Sequence, residues 1–142
     1  MKVNDFFDKV YLINLKRRPD KLKMTKELLD KFNIKFELFE AVDFCEGIPK
    51  DYQYQPVKES FLTKVKPGAF GCLMSHLEVI KDAKKNNYNK VLIFEDDLAT
   101  DDNFEFLFSQ KVKDLPSDWK LFYLGASGHT GVPKKKITNN IS

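Results

Sequence analysis

Three consecutive carboxylates, Glu95-Asp96-Asp97, close the run V-L-I-F-E-D-D at 91–97. Four apolar residues in succession mark a strand covered on both faces. Side chains alternate along an extended backbone, so Glu95 and Asp97 are expected on one side and Asp96 on the other. Two ionised carboxylates facing one space repel each other unless something positive lies between them, and a divalent cation with oxygen ligands is the usual remedy. Such an ion can bind a diphosphate and neutralise the charge that grows on it as it departs. Most acidic turns need no ion, but the position of this triplet at the end of an apolar strand favours a ligand site. Asp101 and Asp102, just behind it, suit the cap of a helix near Asn103 better than metal ligation. The glycine and terminal glutamate of an EF-hand loop are missing from the spacing.

A second group of residues able to do chemistry is N-L-K-R-R-P-D-K at 14–21. Arg17 and Arg18 fall between a strand end and a helix N-terminus, where backbone N–H groups and guanidinium forks hold anions such as a nucleotide phosphate. Taken alone, the pair would read as surface charge. In P-G-A-F-G-C-L-M-S-H-L at 67–77, Gly68 and Gly71 let a backbone or ligand come close. Ser75 and His76 are adjacent and so do not face each other on a helix. One of them can point into a cleft, His76 donating to a phosphate or sugar hydroxyl; a histidine bonded at the edge of the core is the equal alternative. Cys72 reads as a small buried apolar residue. Lys134 to Lys136 read as solvated tail, with a weak attraction to an anionic membrane surface left open.

The elements that must position these groups follow from periodicity. Residues 9–15, K-V-Y-L-I-N-L, form a buried strand. Pro19 suits the first turn of the next helix and Asp20 its dipole; the apolar spacing predicts that helix through Phe32, stopping near Asn33. Ile34, Phe36 and Leu38 alternate with charge, hence a second strand. Residues 43–67 hold four Pro or Gly positions and read as a long loop. Residues 68–87 carry the strongest helical pattern, with Lys81, Lys84 and Lys85 in the last turns. A strand over 90–97, a short helix over 103–112 and a strand over 119–125 complete the order. Alternation of this kind predicts an α/β fold: a mostly parallel sheet with helices on both faces and right-handed crossovers. Ligands then gather at the carboxyl ends of the strands, at Asn14 to Asp20, Glu95 to Asp97, and from Gly125 onward.

Composition sets the outer bounds. The 142 residues are 42% hydrophobic and 32% charged, which excludes global disorder. A net charge of +3 with a pI near 8.7 is too small an excess to argue nucleic-acid binding. M-K-V-N-D-F-F-D-K lacks the apolar run of a signal peptide, and no window approaches the ~18 apolar residues of a membrane helix. Cys45 and Cys72 are too few for a disulfide framework or a zinc site and read as free thiols in a reducing cytoplasm.

Together these segments resemble glycosyltransferase family 25, which includes lipooligosaccharide and collagen galactosyltransferases. The resemblance rests on V-Y-L-I-N-L-K-R-R-P-D-K, F-E-A-V-D, P-G-A-F-G-C-L-M-S-H-L, V-L-I-F-E-D-D and W-K-L-F-Y-L-G, in that order, over about residues 8 to 126. It implies an A-type, Rossmann-like glycosyltransferase fold, incomplete at the C-terminus, with a donor-binding part over 1–127 and a flexible tail over 128–142. It further implies a UDP-sugar donor (UDP-galactose or UDP-glucose), inversion at the anomeric carbon, and a glycan or lipid-linked glycan acceptor in lipopolysaccharide or lipooligosaccharide biosynthesis. The expected location is the cytoplasm or the inner face of the membrane, with a peripheral membrane contact open.

By the same resemblance Glu95, Asp96 and Asp97 hold Mn²⁺ or Mg²⁺ against the diphosphate, Asn14, Arg17, Arg18 and Asp20 form the nucleotide pocket, and Ser75 and His76 lie near the donor. Ala69 departs from the pattern, since many relatives carry an acidic residue there. No residue is assigned as the general base that an inverting transfer needs. The alternative is a non-catalytic remnant that binds nucleotide without transferring sugar. A phosphotransfer domain fits less well, because such folds place key aspartates after the first strand, where this chain has N-L-K-R-R.

Overall fold

The computed structural model describes residues 1–48 and 66–125. Strands β1 (Lys9–Asn14), β2 (Glu37–Glu40) and β3 (Val91–Glu95) form one sheet in the order β2-β1-β3, parallel on both sides of β1. Helix α1 (Val3–Phe6), which periodicity does not announce, precedes β1; α2 (Pro19–Lys31) links β1 to β2, α3 (Pro67–Lys85) precedes β3, and α4 (Phe104–Lys113) follows it. This is the α/β arrangement that alternation predicts, and it is the kind of sheet an A-type glycosyltransferase domain is built on.

By contacts the chain divides into two compact units, Phe7–Leu98 and a second made of Met1–Phe6 with Ala99–Ser142. In the first, β1 is the central strand, and Tyr11 and Leu12 are both 0% exposed. Tyr11 and Ile13 pack on Val79 of α3, joined by Phe39, Ala41, Val91 and Ile93. Alternation sends Val10, Leu12, Leu92 and Phe94, all buried, to the opposite face. There α2 is tied to the end of β3 by Thr25, whose hydroxyl donates to the Asp96 carbonyl at 2.8 Å. Helices therefore cover both faces. β2 is an exposed edge, with Glu37, Leu38 and Glu40 open to solvent.

Both long helices begin with proline in the first turn, where a missing N–H costs nothing. Both end on an asparagine in the left-handed region, Asn33 at φ 52° and Asn87 at φ 57°. After α2, Ile34 N–H bonds to Leu29 C=O and Asn33 N–H to Asp30 C=O; after α3, Tyr88 bonds to Ala83 and Asn87 to Lys84. These are paired Schellman closures, which use up the orphan carbonyls and turn the chain toward the next strand. Asp8 fixes the entry to β3, its carboxylate accepting the N–H groups of Asn89 and Lys90 at 2.7 and 2.9 Å. Those two donors hold the Asp8 carboxyl below the usual carboxylate range.

In the second unit Phe6 stacks on Trp119 and meets Phe108 edge-on, with ring centroids 6.3 and 6.0 Å apart. Asp101 accepts the Asn103 N–H at 2.8 Å, an Asx turn that precedes α4, but the N-cap itself is Asn103 and no side chain caps the helix, a correction to the expected capping role of Asp101 or Asp102. The strand expected over 119–125 is not formed. Its β-formers have no ladder neighbour among the described residues, and Leu121 and Tyr123 remain 73% and 71% exposed. Apolar residues on an unpaired extended segment cannot establish a strand by propensity alone. Most of the expected long loop, and the tail over 128–142, lie outside the described residues.

Tyr11 provides a test of this core. Its hydroxyl donates to Asp82 Oδ2 at 2.6 Å, and burial first, then the Asp82 carboxylate, push the phenol pKa well above its ordinary value. A raised folded-state pKa stabilises the protein below the unfolded phenol value of about 10 and loses that contribution as pH rises beyond it. Urea denaturation should find Tyr11→Phe less stable by about 1 to 3 kcal/mol at neutral pH. The gap between wild type and variant should narrow above about pH 10.

Candidate functional site

In a parallel sheet of order β2-β1-β3, the chain leaves β1 toward one side and later returns on the other. The crevice between the carboxyl ends of β1 and β3 is therefore the switch point at which ligands bind. A cleft of about 120 Å³ opens there, lined by Ile13 of β1 with Leu15 and Arg17 after it, Ala41 to Phe44 after β2, Gly68, Cys72, Ser75 and His76 of α3, and Glu95 of β3 with Asp96 just past it. Pockets that enclose a small molecule run from roughly 300 Å³, so this cleft suits a phosphate or a hydrated ion rather than a whole sugar nucleotide.

Two pairs on α3, each one turn apart, divide the work of its first half. Gly71 and Ser75 face the segment leaving β2. A Cβ on Gly71 would lie 2.6 Å from the Val42 carbonyl oxygen, so only glycine allows that approach. Ser75, fully buried, accepts the Val42 N–H at 2.8 Å and donates to the Gly71 carbonyl at 2.7 Å. Its hydroxyl proton is thus committed to the fold. Phe44 stacks on Phe70 beside this contact, with ring centroids 5.5 Å apart. Gly68 differs: a Cβ added there would meet nothing within 4 Å among the described residues.

Cys72 and His76 form the second pair, directed at the strand end. His76 Nε2 lies 3.2 Å from Glu95 Oε1, and Cys72 Sγ lies 4.0 Å from Glu95 Oε2. Cys72 is exposed rather than buried in the core, a correction with a simple cause: the core side of this turn is taken by Gly71 and Ser75, which leaves the next residue on the cleft. Partial burial, then the carboxylates of Glu95 and Asp97, push the Cys72 thiol pKa up. Asp97 itself lies in the turn after β3, exposed and outside the cleft lining.

Across the cleft the polar groups are paired. Asn14, 4% exposed, donates through one amide nitrogen to Asp96 Oδ2 at 2.7 Å and to the Arg18 carbonyl at 3.1 Å, which ties β3 to the start of α2. Arg17 reaches Asp43 at 2.5 Å, and its guanidinium, with the Cys45 N–H, holds the Asp43 carboxyl below the usual range. Arg18 grips Asp20 through two nitrogens at 3.1 and 3.0 Å; both are outside the cleft lining. The structure therefore brings Arg17, Ser75, His76, Glu95 and Asp96 to one cleft with Asn14 behind them, and leaves Arg18, Asp20 and Asp97 at its margin. Asp43 and Thr25 were not singled out by sequence reasoning. Asp43 stands just past a strand end and closes the F-E-A-V-D segment, the two signals that point to it.

A family model, Glycosyltransferase family 25 (LPS biosynthesis protein), matches residues 7–140. The chain belongs to this family. Relatives include procollagen galactosyltransferase 1-A of Xenopus laevis, 32% identical over 84% of this chain, and procollagen galactosyltransferase 2 of Mus musculus, 27% identical over 96% of it. Inactive glycosyltransferase 25 family member 3 of Homo sapiens is 30% identical over 84% of the chain. The chain spans 21% to 24% of the length of these three proteins. No solved structure matches it.

The glycine pair of α3 gives a test in which the two positions behave oppositely. Gly71→Ala should destabilise the fold by about 1 to 3 kcal/mol, because the Val42 backbone must retreat. Gly68→Ala should be neutral or stabilising by up to about 1 kcal/mol, the helix-propensity difference. Chemical denaturation of both variants measures the contrast.

Proposed function

We propose that this family 25 chain forms the donor-binding part of a metal-dependent inverting glycosyltransferase. It moves a hexose, galactose or glucose, from a UDP-sugar to a glycan or lipid-linked glycan acceptor in lipopolysaccharide or lipooligosaccharide assembly. The observation that carries this reading is the cleft at the β1–β3 switch point, lined by Arg17, whose guanidinium is held by Asp43, after one strand and by Glu95 and Asp96 at the end of the other. Cationic and acidic groups across one small cleft suit a diphosphate bound together with a metal ion. Its procollagen galactosyltransferase relatives support galactose as the transferred sugar.

This reading assigns the acidic triplet to a hard cation, which takes oxygen ligands. Glu95, Asp96 and Asp97 offer carboxylate oxygens at one strand end, and the field of Glu95 and Asp97 already reaches Cys72, so that side of the cleft is negative. Mn²⁺ or Mg²⁺, when bound, would neutralise charge on the departing diphosphate. The chain's own residues do the rest: Arg17 meets phosphate oxygens, Asn14 holds Asp96 and the α2 entry in place, and His76 offers its ring to a phosphate or sugar hydroxyl. No helix among the described residues is long and apolar enough to cross a membrane. The reading places the protein in the cytoplasm, where nucleotide sugars are available, with a peripheral contact at the inner membrane face.

The human relative's name, an inactive family member, favours a second reading: a domain that binds nucleotide without transferring sugar. Calorimetry with uridine diphosphate, with and without Mn²⁺, and release of uridine diphosphate from UDP-galactose separate the two. The expected result is Mn²⁺-assisted uptake weakened about tenfold or more in Asp97→Ala and in Arg17→Ala, each loss corresponding to about 1.4 kcal/mol or more. Metal-independent uptake, or uptake untouched by both substitutions, overturns the nucleotide-site reading. Uptake without release under any acceptor selects the non-catalytic one.

A further inference from the structure

The cleft holds a second donor set, which shares only Glu95 with the hard-ion site. Cys72 and His76 are one helical turn apart on α3, the spacing that puts two side chains on one face, and the Glu95 carboxylate at the end of β3 lies opposite them. One ligand atom from each, Sγ, a ring nitrogen and a carboxylate oxygen, lies within 4.8 Å of the other two. We infer that Cys72, His76 and Glu95 form a binding site for a borderline-soft divalent cation, zinc above all, distinct in its donors from the all-oxygen site proposed for Mn²⁺ or Mg²⁺.

Geometry supports the assignment. Tetrahedral zinc bonds of about 2.0 to 2.3 Å space a nitrogen and an oxygen ligand roughly 3.3 Å apart, and a sulfur and an oxygen ligand roughly 3.6 Å apart. His76 Nε2 is 3.2 Å from Glu95 Oε1 and Cys72 Sγ is 4.0 Å from Glu95 Oε2, each within a few tenths of an ångström of its ligand spacing, and side-chain rotation can draw the three donors, all within 4.8 Å of one another, onto one ion. Three protein ligands leave the fourth position open to the cleft, which these same residues line. The charges also balance: a thiolate and a carboxylate offset the two charges of the ion, with neutral imidazole as the third ligand, and binding releases the thiol proton to solvent. Thiolate and imidazole favour zinc over manganese or magnesium, whereas carboxylate alone does not discriminate in that direction. Because Glu95 belongs to both donor sets, zinc bound here competes with the hard ion for one carboxylate.

Cobalt(II) reports on the site directly, since it takes the ligands of zinc and adds a thiolate-to-metal charge-transfer absorption in the near ultraviolet. Titration of the reduced whole chain with Co²⁺ should give this band at one equivalent, and Zn²⁺ should displace it. Cys72→Ser should abolish the band, and His76→Ala should weaken Zn²⁺ binding by about tenfold to 100-fold or more, the loss of a ligand costing at least as much as the loss of a ligand's supporting partner. Asp97→Ala should keep the band, which separates this site from the hard-ion site whatever becomes of Mn²⁺-assisted nucleotide uptake. Far-ultraviolet circular dichroism of each variant checks that it is folded. A wild type without the band overturns the inference. So does a band that survives Cys72→Ser and disappears in Cys45→Ser, or one indifferent to His76→Ala.

Discussion

Parallel pairing on both sides of β1 is the constraint on which the rest of the structure depends. A strand flanked by two parallel neighbours sends all three carboxyl ends to one edge, and the order β2-β1-β3 makes the chain depart from β1 in opposite directions. The connections must then cover opposite faces, α2 on one and α3 on the other, and a crevice is left between β1 and β3. Asn14 and Asp96, separated by 82 residues in sequence, meet there through a 2.7 Å hydrogen bond. A buried asparagine amide needs partners for its donors, and the strand geometry supplies them from β3 and from the start of α2.

The G-x-x-G-C-x-x-S-H segment takes its meaning from this arrangement. Read along the chain, it offers two glycines and an adjacent Ser-His pair. On α3 the motif separates instead into two interleaved pairs at four-residue spacing. Gly71 and Ser75 accept the backbone leaving β2, one by having no Cβ and the other by bonding Val42. Cys72 and His76, each one position later, are turned by the helical pitch toward Glu95. The first pair fixes where the helix lies and the second faces the cleft, so the adjacent Ser75 and His76 belong to different sides of one helix turn.

How much of this the sequence discloses depends on whether the deciding interaction is local. Helix α2 and helix α3 are legible because apolar spacing, N-terminal prolines and left-handed asparagines are properties of short windows, and the apolar run of β3 marks a strand at any position. The expectation at 119–125 fails for the complementary reason: Leu121 and Tyr123 have strand propensity, but a strand exists only where another segment offers its N–H and C=O groups. At the site, the strand-end rule points to Arg17, Glu95 and Asp96. It does not reveal that Arg18 is bound to Asp20, that Ser75 spends its proton on Gly71, or that Cys72 faces the cleft. The last two outcomes follow from the approach of Val42, 33 residues before Ser75, which no short window contains.

The acidic triplet illustrates the same division at the level of single atoms. The strand ends at Glu95 and the chain turns at Asp96 and Asp97, and the electrostatics divide the triplet: Glu95 and Asp97 act on Cys72, while Asp96 acts on Arg18. Asp96 also gives one carboxylate oxygen to Asn14 and its carbonyl to Thr25, so it fastens the end of β3 to β1 and α2. Three adjacent carboxylates are therefore not three equal ligands. A group with one oxygen already bonded to a buried amide binds an ion only from a fixed position. The two on the other side are held less firmly, Glu95 by exposed contacts to His76 and Cys72 and Asp97 in a turn beyond the strand. The end of β3 thus carries one anchored carboxylate and two that can adjust.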